Sequence, residues 1–352
     1  SRGAVSALIT RTGALWQALD ADAFALRVRE LAHAFSGLAI PVGGIACLEH
    51  ATSSEALTFA VAALEAGLAV RLGPAQPPVA AALVATPVRA AALAAEAGID
   101  QVAIPCCAEA DGAKSLERLA AHGVMEAALR PDALTQRGQT PLSQAVIGAD
   151  GTAFTHAQLA AAIASLRAVG DLLRPDEPLL IAVPLDQPWV LALALAALDA
   201  GAPVAIGDLG DAQVVRPGVI VASCVDVAAL PERTAPGSRL VAGLARLLGR
   251  DRTIPPARCL IVPDGFVDRD LCVDLHLGGT AVLHAVGDAH LIVPAALNQP
   301  ARLRLDAYGL PLPGHAVRIE SGRLVVEGTT GGAETAIGAR VEADGFVVPG
   351  VR

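Results

Sequence analysis

Two stretches of the chain carry the same pattern and decide the fold class: FAVAALEAGLAVRLG at 59–73 and LALAALDAGAPVAIG at 193–207. They align without gaps, and Glu65 of the first corresponds to Asp199 of the second. Each begins as a run rich in Ala and Leu, which are strong helix formers. Each continues with Ala-Gly, a typical helix stop, and ends as a short apolar strand that reaches a glycine. Each stretch therefore predicts a helix followed by a strand.

The sequence before each copy matches as well. IACL at 45–48 and LIAV at 180–183 are strand-like apolar runs. Residues 22–35 and 156–169 have apolar side chains at three- and four-residue spacing, which is typical of amphipathic helices. The order helix, strand, helix, strand thus occurs twice. Because a helix between two parallel strands forms a right-handed crossover, the duplication predicts two related α/β subdomains.

The rest of the chain is divided by its own patterns. Residues 133–143 are polar and contain Gly and Pro, which predicts a linker. From about Tyr308, glycine turns separate short strands. The predicted fold class is α/β, with two related Rossmann-like αβα subdomains at 1–140 and 141–307 and a small β-barrel-like subdomain at 308–352. The other predicted elements are a largely helical stretch at 79–97, strands at 101–104, 218–222 and 259–262, a helix at 238–248, and strands at 316–319, 323–326 and 346–348.

Composition excludes several classes of function. The net charge is −9, and the basic residues, of which Lys114 is the only lysine, form no run. A nucleic-acid partner usually requires a basic face, so we expect none. The N-terminal sequence shows no signal-peptide pattern, and the apolar run at 189–198 is too short to span a bilayer. We therefore expect a cytoplasmic protein with no membrane partner, and the excess of Arg over Lys is typical of a GC-rich bacterial genome.

The six cysteines show neither CxxC spacing nor a zinc-ligand cluster, and most lie in apolar stretches where buried reduced thiols are common. Cys106 and Cys107 differ because they follow Pro105 at a predicted strand end, where α/β proteins gather their sites. A cysteine nucleophile also needs a nearby base, and the sequence places neither His50 nor His122 beside them. They are candidate catalytic residues, and the simpler alternative is an inert strand end.

A second candidate set contains histidines. His284 and His290 are both even-numbered, so a strand through both would place them on one face. His276, Asp274 and Asp288 are interspersed with them. This pattern is compatible with a metal site, although partly exposed loop histidines are commoner. We retain His284 and His290 as candidate catalytic residues and assign no metal.

Several segments carry a combined pattern that points to a family. AVIGADGTAFTHAQLAA at 145–161 reads as a strand, an Asp-Gly turn and a helix capped by Thr155. The stretch 179–207 reads as a strand that ends at Pro before an Ala-rich helix, and GLPLPGHAVRI at 309–319 and GRLVVEG at 322–328 read as strands of a small β subdomain. Together they resemble the adenylate-forming superfamily, which contains the acyl-CoA synthetases, adenylation domains and luciferases. The first copy resembles this family more weakly and could match either half of its large domain.

That resemblance implies a reaction that joins a carboxylate to the α-phosphate of ATP, which requires phosphate contacts, a metal, a ribose anchor and a cation. The family's Ser/Thr/Gly-rich phosphate loop, which ends in Lys, is expected near 219–228. VIVASCVDVA stands there, with Ser223 as its one hydroxyl and no glycine. EGTTGG at 327–332 looks like such a loop, yet it follows a predicted hairpin. We therefore predict a hairpin-end turn at 327–332.

The other implied elements are replaced as well. VGDAH at 286–290 keeps only the glycine of the family's aromatic-Gly-x-Thr-Glu element. Ile337 stands where an Asp would hold the ribose, and its side chain accepts no hydrogen bond. The mobile lysine-bearing C-terminal domain is expected to begin near Arg352, where this sequence ends, and Lys114 is expected to be an exposed helix-end residue. We therefore expect no bound cofactor and no adenylation.

Two functional hypotheses follow. In the first, the chain is a catalytically inactive acyl-CoA synthetase-like protein, a pseudoenzyme that acts as a scaffold or binding partner in a biosynthetic pathway. Its partner would be an active ligase, a carrier protein or another biosynthetic enzyme. In the second, the chain is a diverged enzyme that reuses the acyl pocket for ATP-independent acyl transfer or hydrolysis, or a protein that binds an acyl or CoA ligand. The high apolar content also suits a homodimer.

Overall fold

Two mainly parallel β-sheets, of six and eight strands, form the body of the protein in this computed structural model. The structure describes residues 6–12, 15–38, 40–49, 51–75, 79–84, 87–95, 103–105, 115–137, 140–230, 257–263, 265–288, 290–321, 323–335 and 338–350. Within these ranges, no helix is both long and apolar enough to cross a membrane.

A hairpin precedes each copy of the repeat. The first copy has the elements β1 (Ser6–Thr12), β2 (Leu15–Asp20), α1 (Ala21–Gly37), β3 (Ile45–Leu48), α2 (Ser54–Glu65), β4 (Ala69–Leu72), β5 (Ala81–Val84), α3 (Pro87–Ala95), β6 (Ala103–Pro105) and α4 (Leu116–Leu129). The second has β7 (Gln144–Ile147), β8 (Ala153–Thr155), α5 (His156–Arg167), β9 (Leu179–Ala182), α6 (Pro188–Asp199), β10 (Val204–Ile206), α7 (Ala212–Val215), β11 (Val219–Ala222), α8 (Cys224–Ala228), β12 (Cys259–Val262), α9 (Arg269–Leu277), β13 (Ala281–Val286) and β14 (Ala296–Leu297). The remaining strands are β15 (His315–Glu320), β16 (Arg323–Gly328), β17 (Ala333–Thr335), β18 (Ala339–Val341) and β19 (Val347–Pro349).

The predicted duplication is confirmed. The order helix, strand, helix, strand recurs as α1–β3–α2–β4 and α5–β9–α6–β10. The Ala-Gly pairs end α2 and α6 as expected, because Gly67 (φ 78°) and Gly201 (φ 76°) take the left-handed conformation that favours glycine. The capping prediction is also confirmed. The Thr155 hydroxyl accepts from the Gln158 N–H at 3.2 Å, and Gln158 Oε1 accepts from the Thr155 N–H at 2.8 Å.

The two hairpins exchange between the sheets. β1 pairs in parallel with β10 of the second copy, so that Leu8 lies opposite Val204. In the same way β7 pairs in parallel with β4 of the first copy, with Val146 opposite Val70. The strand orders are therefore β6-β5-β3-β4-β7-β8 and β14-β13-β12-β11-β9-β10-β1-β2. The predicted domain boundary at residue 140 lies within the polar segment 133–143, whereas the strand pairing crosses this boundary in both directions.

The prediction of a largely helical stretch at 79–97 is wrong in its first half. Ala81–Val84 forms β5, and only Pro87–Ala95 is helical. All four residues of β5 are buried between β3 and β6. A parallel strand that is buried on both faces shows no alternation of polar and apolar residues, so periodicity cannot separate it from a buried helix. The predicted strand at 101–104 is described only as Ala103–Pro105, and the predicted helix at 238–248 lies outside the described residues.

One hydrophobic core joins the two copies, with side chains such as Leu57 and Leu193 in the same buried cluster. Helices pack closely at its edge, where α1 meets α4 at Gly123. A Cβ on Gly123 would lie 1.6 Å from the carbonyl oxygen of Glu30. The residue must therefore lack a side chain for the two helices to approach this closely.

The predicted β-rich tail is confirmed for the described residues. β15, β16 and β17 form an antiparallel sheet, and β18 pairs with β19. The tail is tied to the second sheet by reciprocal backbone bonds between Leu297 and Leu310 at 3.0 and 3.2 Å. The Tyr308 N–H also donates to the Val347 oxygen at 2.9 Å.

Candidate functional site

The second sheet contains a topological switch point. β10 and β11 lie on opposite sides of β9, in the strand order β10-β9-β11-β12-β13. In doubly wound sheets with this order, ligands bind in the crevice at the carboxyl ends of the strands. Here β11 runs directly into α8, whose N-cap is Ser223. The Ser223 hydroxyl accepts from the Asp226 N–H at 3.0 Å and donates to the Asp226 carboxylate at 2.7 Å, so its hydrogen bonds stay within its own helix cap.

His284 lies in β13 at the same end of the sheet and is fully buried. Its Nε2 accepts from the Val267 N–H at 3.3 Å, so the proton of the neutral ring is on Nδ1. Nδ1 has no acceptor among the described residues. Burial lowers the pKa of His284 to about 4, which keeps the ring uncharged at neutral pH. The centroid of the Phe266 ring lies 4.5 Å from those of both His284 and Tyr308, with the rings tilted against each other, so a buried N–H donor lies within an aromatic cluster.

Trp189 explains why a glycine follows β13. The indole is almost completely buried, and a Cβ on Gly287 would come within 2.2 Å of its Nε1. The indole N–H donates to Gln187 Oε1 at 2.6 Å, which satisfies it at the start of α6. The glycine retained at 287 is therefore required by packing.

The prediction that His284 and His290 share a strand face is wrong. β13 ends at Val286, so His290 lies in a turn beyond the strand and is half-exposed. His290 Nδ1 contacts the Asp150 carboxylate and lies 3.2 Å from Thr152 Oγ1. His276, the histidine before these two in the sequence, lies on α9 and not on a strand. Among the described residues, no cluster of His, Cys, Asp and Glu could hold a metal ion.

The cysteine predictions divide between described and undescribed residues. Cys106 and Cys107 lie outside the described residues, as do His50 and Lys114, so their assignments stay predictions. Three of the other cysteines are free and buried, which confirms the expectation of buried reduced thiols for them; they are Cys47, Cys259 and Cys272. Burial raises the pKa of each of them.

A cavity of about 270 Å³ lies away from the switch point, between the β-rich tail and the start of α5. The EGTTGG segment forms the turn between β16 and β17, as predicted, and its last three residues, Thr330, Gly331 and Gly332, line this cavity. His290 lines another part of the wall. The sequence pattern identified the turn, but His290 is far away along the chain, and only the fold brings the two together.

Thr330 makes a contact that sequence reasoning missed. Its hydroxyl lies 2.7 Å from Nε2 of His315, and Nδ1 of His315 lies 3.2 Å from the Pro313 carbonyl oxygen. The turn is held to α5 by Gln158, whose Nε2 donates to the Thr330 carbonyl at 2.8 Å. Burial lowers the pKa of His315, so the ring is neutral at physiological pH.

Comparison with solved structures shows the same fold in ligases. VinN in complex with L-aspartate matches with a TM-score of 0.73 and 15% identity, covering 95% of this chain and 92% of VinN. A benzoate CoA ligase from Burkholderia xenovorans LB400 matches at 0.74 and 15%, covering 99% and 77%. The anthranilate CoA ligase AuaEII in complex with anthranoyl-AMP matches at 0.72 and 13%, covering 97% and 73%. This chain has the fold of the adenylate-forming ligases. No protein-family model and no curated protein matches its sequence.

The structure describes two of the three segments that the sequence resemblance assigns to adenylation. The place expected for the phosphate loop is the direct junction of β11 with α8 at Ser223. The glycine of the expected Thr-Glu element is Gly287, against Trp189, and His290 in that element pairs with Asp150. The expected ribose position, Ile337, lies outside the described residues.

A second cavity, of about 580 Å³, lies where the two copies meet. It is formed by the start of α2, the ends of β9 and β10, and Arg11 of the exchanged hairpin. Arg11 lies 3.5 Å from Asp211, and Ser53 accepts from the Ala56 N–H as the N-cap of α2. Glu55 and Asp208 also line the cavity. The lining of this cavity therefore contains both basic and acidic side chains.

Proposed function

We propose that this chain is an adenylate-forming fold without adenylation activity, which acts as a scaffold or binding partner in a biosynthetic pathway of a bacterial cytoplasm. The observation that carries the proposal is the β11–α8 junction, where a strand passes into a helix through Ser223 alone. A phosphate needs backbone N–H groups or cations directed at it. At this junction the cap hydroxyl is engaged by Asp226, whose carboxylate would repel a phosphate.

The lining of the smaller cavity supports the same proposal. It contains a glycine-rich turn, but none of its lining residues is Lys or Arg. His290 is the one basic side chain of the lining, and its Nδ1 already contacts Asp150. An ATP triphosphate placed there would find no lysine or arginine side chain in the lining to compensate its charge, which is electrostatically unfavourable.

Calorimetric titration with ATP and Mg²⁺ tests the proposal. We expect no detectable heat of binding and no acid-dependent exchange of pyrophosphate into ATP. An intact acyl-CoA ligase, titrated under the same conditions, provides the positive control. Submicromolar ATP binding, or pyrophosphate exchange with any carboxylic acid, would contradict the absence of adenylation.

The proposed partners are an active ligase, a carrier protein or another biosynthetic enzyme. Genes adjacent to the one for this chain provide the set to test, and co-expression followed by sedimentation velocity measures the complex directly. We expect one neighbouring product to co-sediment with the chain at micromolar concentration. Co-sedimentation of none of them would contradict the scaffold proposal while leaving the ATP result unaffected.

A second candidate function is binding of an acyl or CoA ligand in the switch-point crevice, or its ATP-independent turnover there. The buried Nδ1–H of His284 favours it, because an orphaned donor in an aromatic cluster suits the carbonyl oxygen of an acyl group. Native mass spectrometry of the purified protein would detect a retained ligand. His284→Phe should reduce its occupancy, and equal occupancy in the two proteins would exclude this role for His284.

A further inference from the structure

Thr330 and His315 are arranged as a hydroxyl and its base. The Pro313 carbonyl oxygen can only accept a hydrogen bond, so its contact with His315 at 3.2 Å places the ring proton on Nδ1. Nε2 is then an acceptor, and the Thr330 hydroxyl donates to it at 2.7 Å. A nucleophile within hydrogen-bond reach of a base that is oriented by a third group is the arrangement used for covalent catalysis.

The local sequence makes this contact sterically accessible. Gly328 lies opposite His315 across the β15–β16 pair, and a Cβ there would come within 2.7 Å of His315 Cδ2. The glycine therefore leaves the imidazole room to lie over the turn. Gly331 follows Thr330 with φ of 99°, a left-handed conformation that favours glycine. Together with the bond from Gln158 to the Thr330 carbonyl, these residues hold the hydroxyl in place from both strands and from α5.

The cavity beside Thr330 has the character of a small acyl site. Its apolar wall includes Phe154, Leu291 and Val326. Among the described residues, the backbone N–H groups of Thr330 and Gly332 have no backbone acceptor, which leaves two hydrogen-bond donors in the turn beside the hydroxyl. The lining contains no Lys or Arg to pair with an anionic ligand, so a neutral acyl group is the better fit.

We propose that Thr330 is an acyl-accepting nucleophile, with His315 as its base, in the hydrolysis of small neutral activated esters or thioesters. Thr330 Oγ1 attacks the carbonyl carbon while His315 Nε2 takes the hydroxyl proton. The bond to the leaving alcohol or thiol breaks, and His315 returns the proton to that group. Water then attacks the acyl-threonine while His315 Nε2 takes a proton from it, the acid is released, and His315 returns the proton to Thr330 Oγ1, which restores the hydroxyl.

This inference goes beyond the proposed function, because the step needs neither ATP nor the switch-point crevice. The two can fail separately. Binding of ATP would contradict the absence of adenylation and would leave the Thr330 proposal standing. Absence of an acyl-enzyme would overturn the Thr330 proposal without bearing on ATP or on a protein partner.

The test uses p-nitrophenyl acetate with the full chain. We expect a burst of p-nitrophenol followed by slower turnover, and peptide mapping by mass spectrometry should find one acetyl group on Thr330. Thr330→Val should abolish the burst, and His315→Gln should slow acylation on the order of 100-fold. Thr329→Val is the matched control, because this neighbouring hydroxyl is exposed and outside the cavity, and it should retain the burst.

Circular dichroism and the thermal midpoint of each variant establish that it is folded. A role of His315 as base also predicts that acylation persists as pH falls through the ordinary histidine range, because burial lowers the pKa of this ring. A folded wild-type protein that forms no acetyl-enzyme would overturn the proposal. So would an acetyl group on another residue, or an undiminished burst in Thr330→Val.

Discussion

Replacing His284 by Gln should remove a large part of the acid sensitivity of the fold. His284 is fully buried, and its burial lowers the pKa from the ordinary 6.5 to about 4. The difference of about 2.5 units corresponds to about 3 kcal/mol of differential stability. Glutamine keeps an acceptor for the Val267 N–H, so the variant removes the titrating group while preserving the hydrogen bond.

The sign of the effect follows from where the proton binds. Between pH 6.5 and about 4, the unfolded chain takes up a proton on this ring and the folded protein does not. The contribution of neutral His284 is therefore fully present above pH 6.5 and is lost progressively as pH falls towards about 4. Other groups also titrate in this interval, but they are common to wild type and variant, so the difference between the two isolates His284.

Urea unfolding over this pH interval, followed by circular dichroism, measures the difference. The wild-type free energy of unfolding should fall by about 3 kcal/mol more than that of His284→Gln between neutral pH and about pH 4. His276→Gln is the control, because that side chain is exposed on α9, and its pH dependence should follow wild type. Parallel curves for wild type and His284→Gln would refute the conclusion that a neutral imidazole is buried at this position.

Three further predictions concern helix packing, ion pairs and the reactivity of a buried thiol. Gly123→Ala should lower the free energy of unfolding by about 1–3 kcal/mol, because the clash with an α1 carbonyl oxygen outweighs a helix-propensity gain of about 1 kcal/mol. Gly170→Ala is the control, because nothing lies within 4 Å of a Cβ at that position, and it should not lower the free energy of unfolding. Arg258→Ala should lower the free energy of unfolding by about 1–3 kcal/mol, since the guanidinium donates to the Glu177 carboxylate at 2.8 and 3.0 Å. Arg167→Ala, which removes an exposed ion pair with Asp199, should lower it by less than about 1 kcal/mol. Urea unfolding of the two variants measures the difference. Cys47, whose pKa burial raises to about 12, should react with iodoacetamide only after unfolding, and rapid labelling in the native protein would contradict its burial.

The sequence was informative where the structure depends on local contacts. The repeated helix and strand, the Ala-Gly stops and the Thr155 capping box all depend on residues within a few positions of one another, and all are confirmed. The strand Ala81–Val84 was missed because its burial on both faces depends on neighbours from distant parts of the chain. Its own residues favour a helix as readily as a strand.

By itself, the sequence determined a duplicated α/β body, a β-rich tail and a glycine turn at 327–332, because periodicity and turn chemistry are local properties. The exchange of the two hairpins between the sheets was decided only by tertiary structure, since strand pairing joins segments that are distant in sequence. The same holds for the candidate sites. The orphaned donor of His284, the pairing of His290 with Asp150 and the contact of Thr330 with His315 each depend on burial or on distances across the fold. A residue's type specifies which bonds it can form, and only the packing of the whole chain decides which partner is within reach.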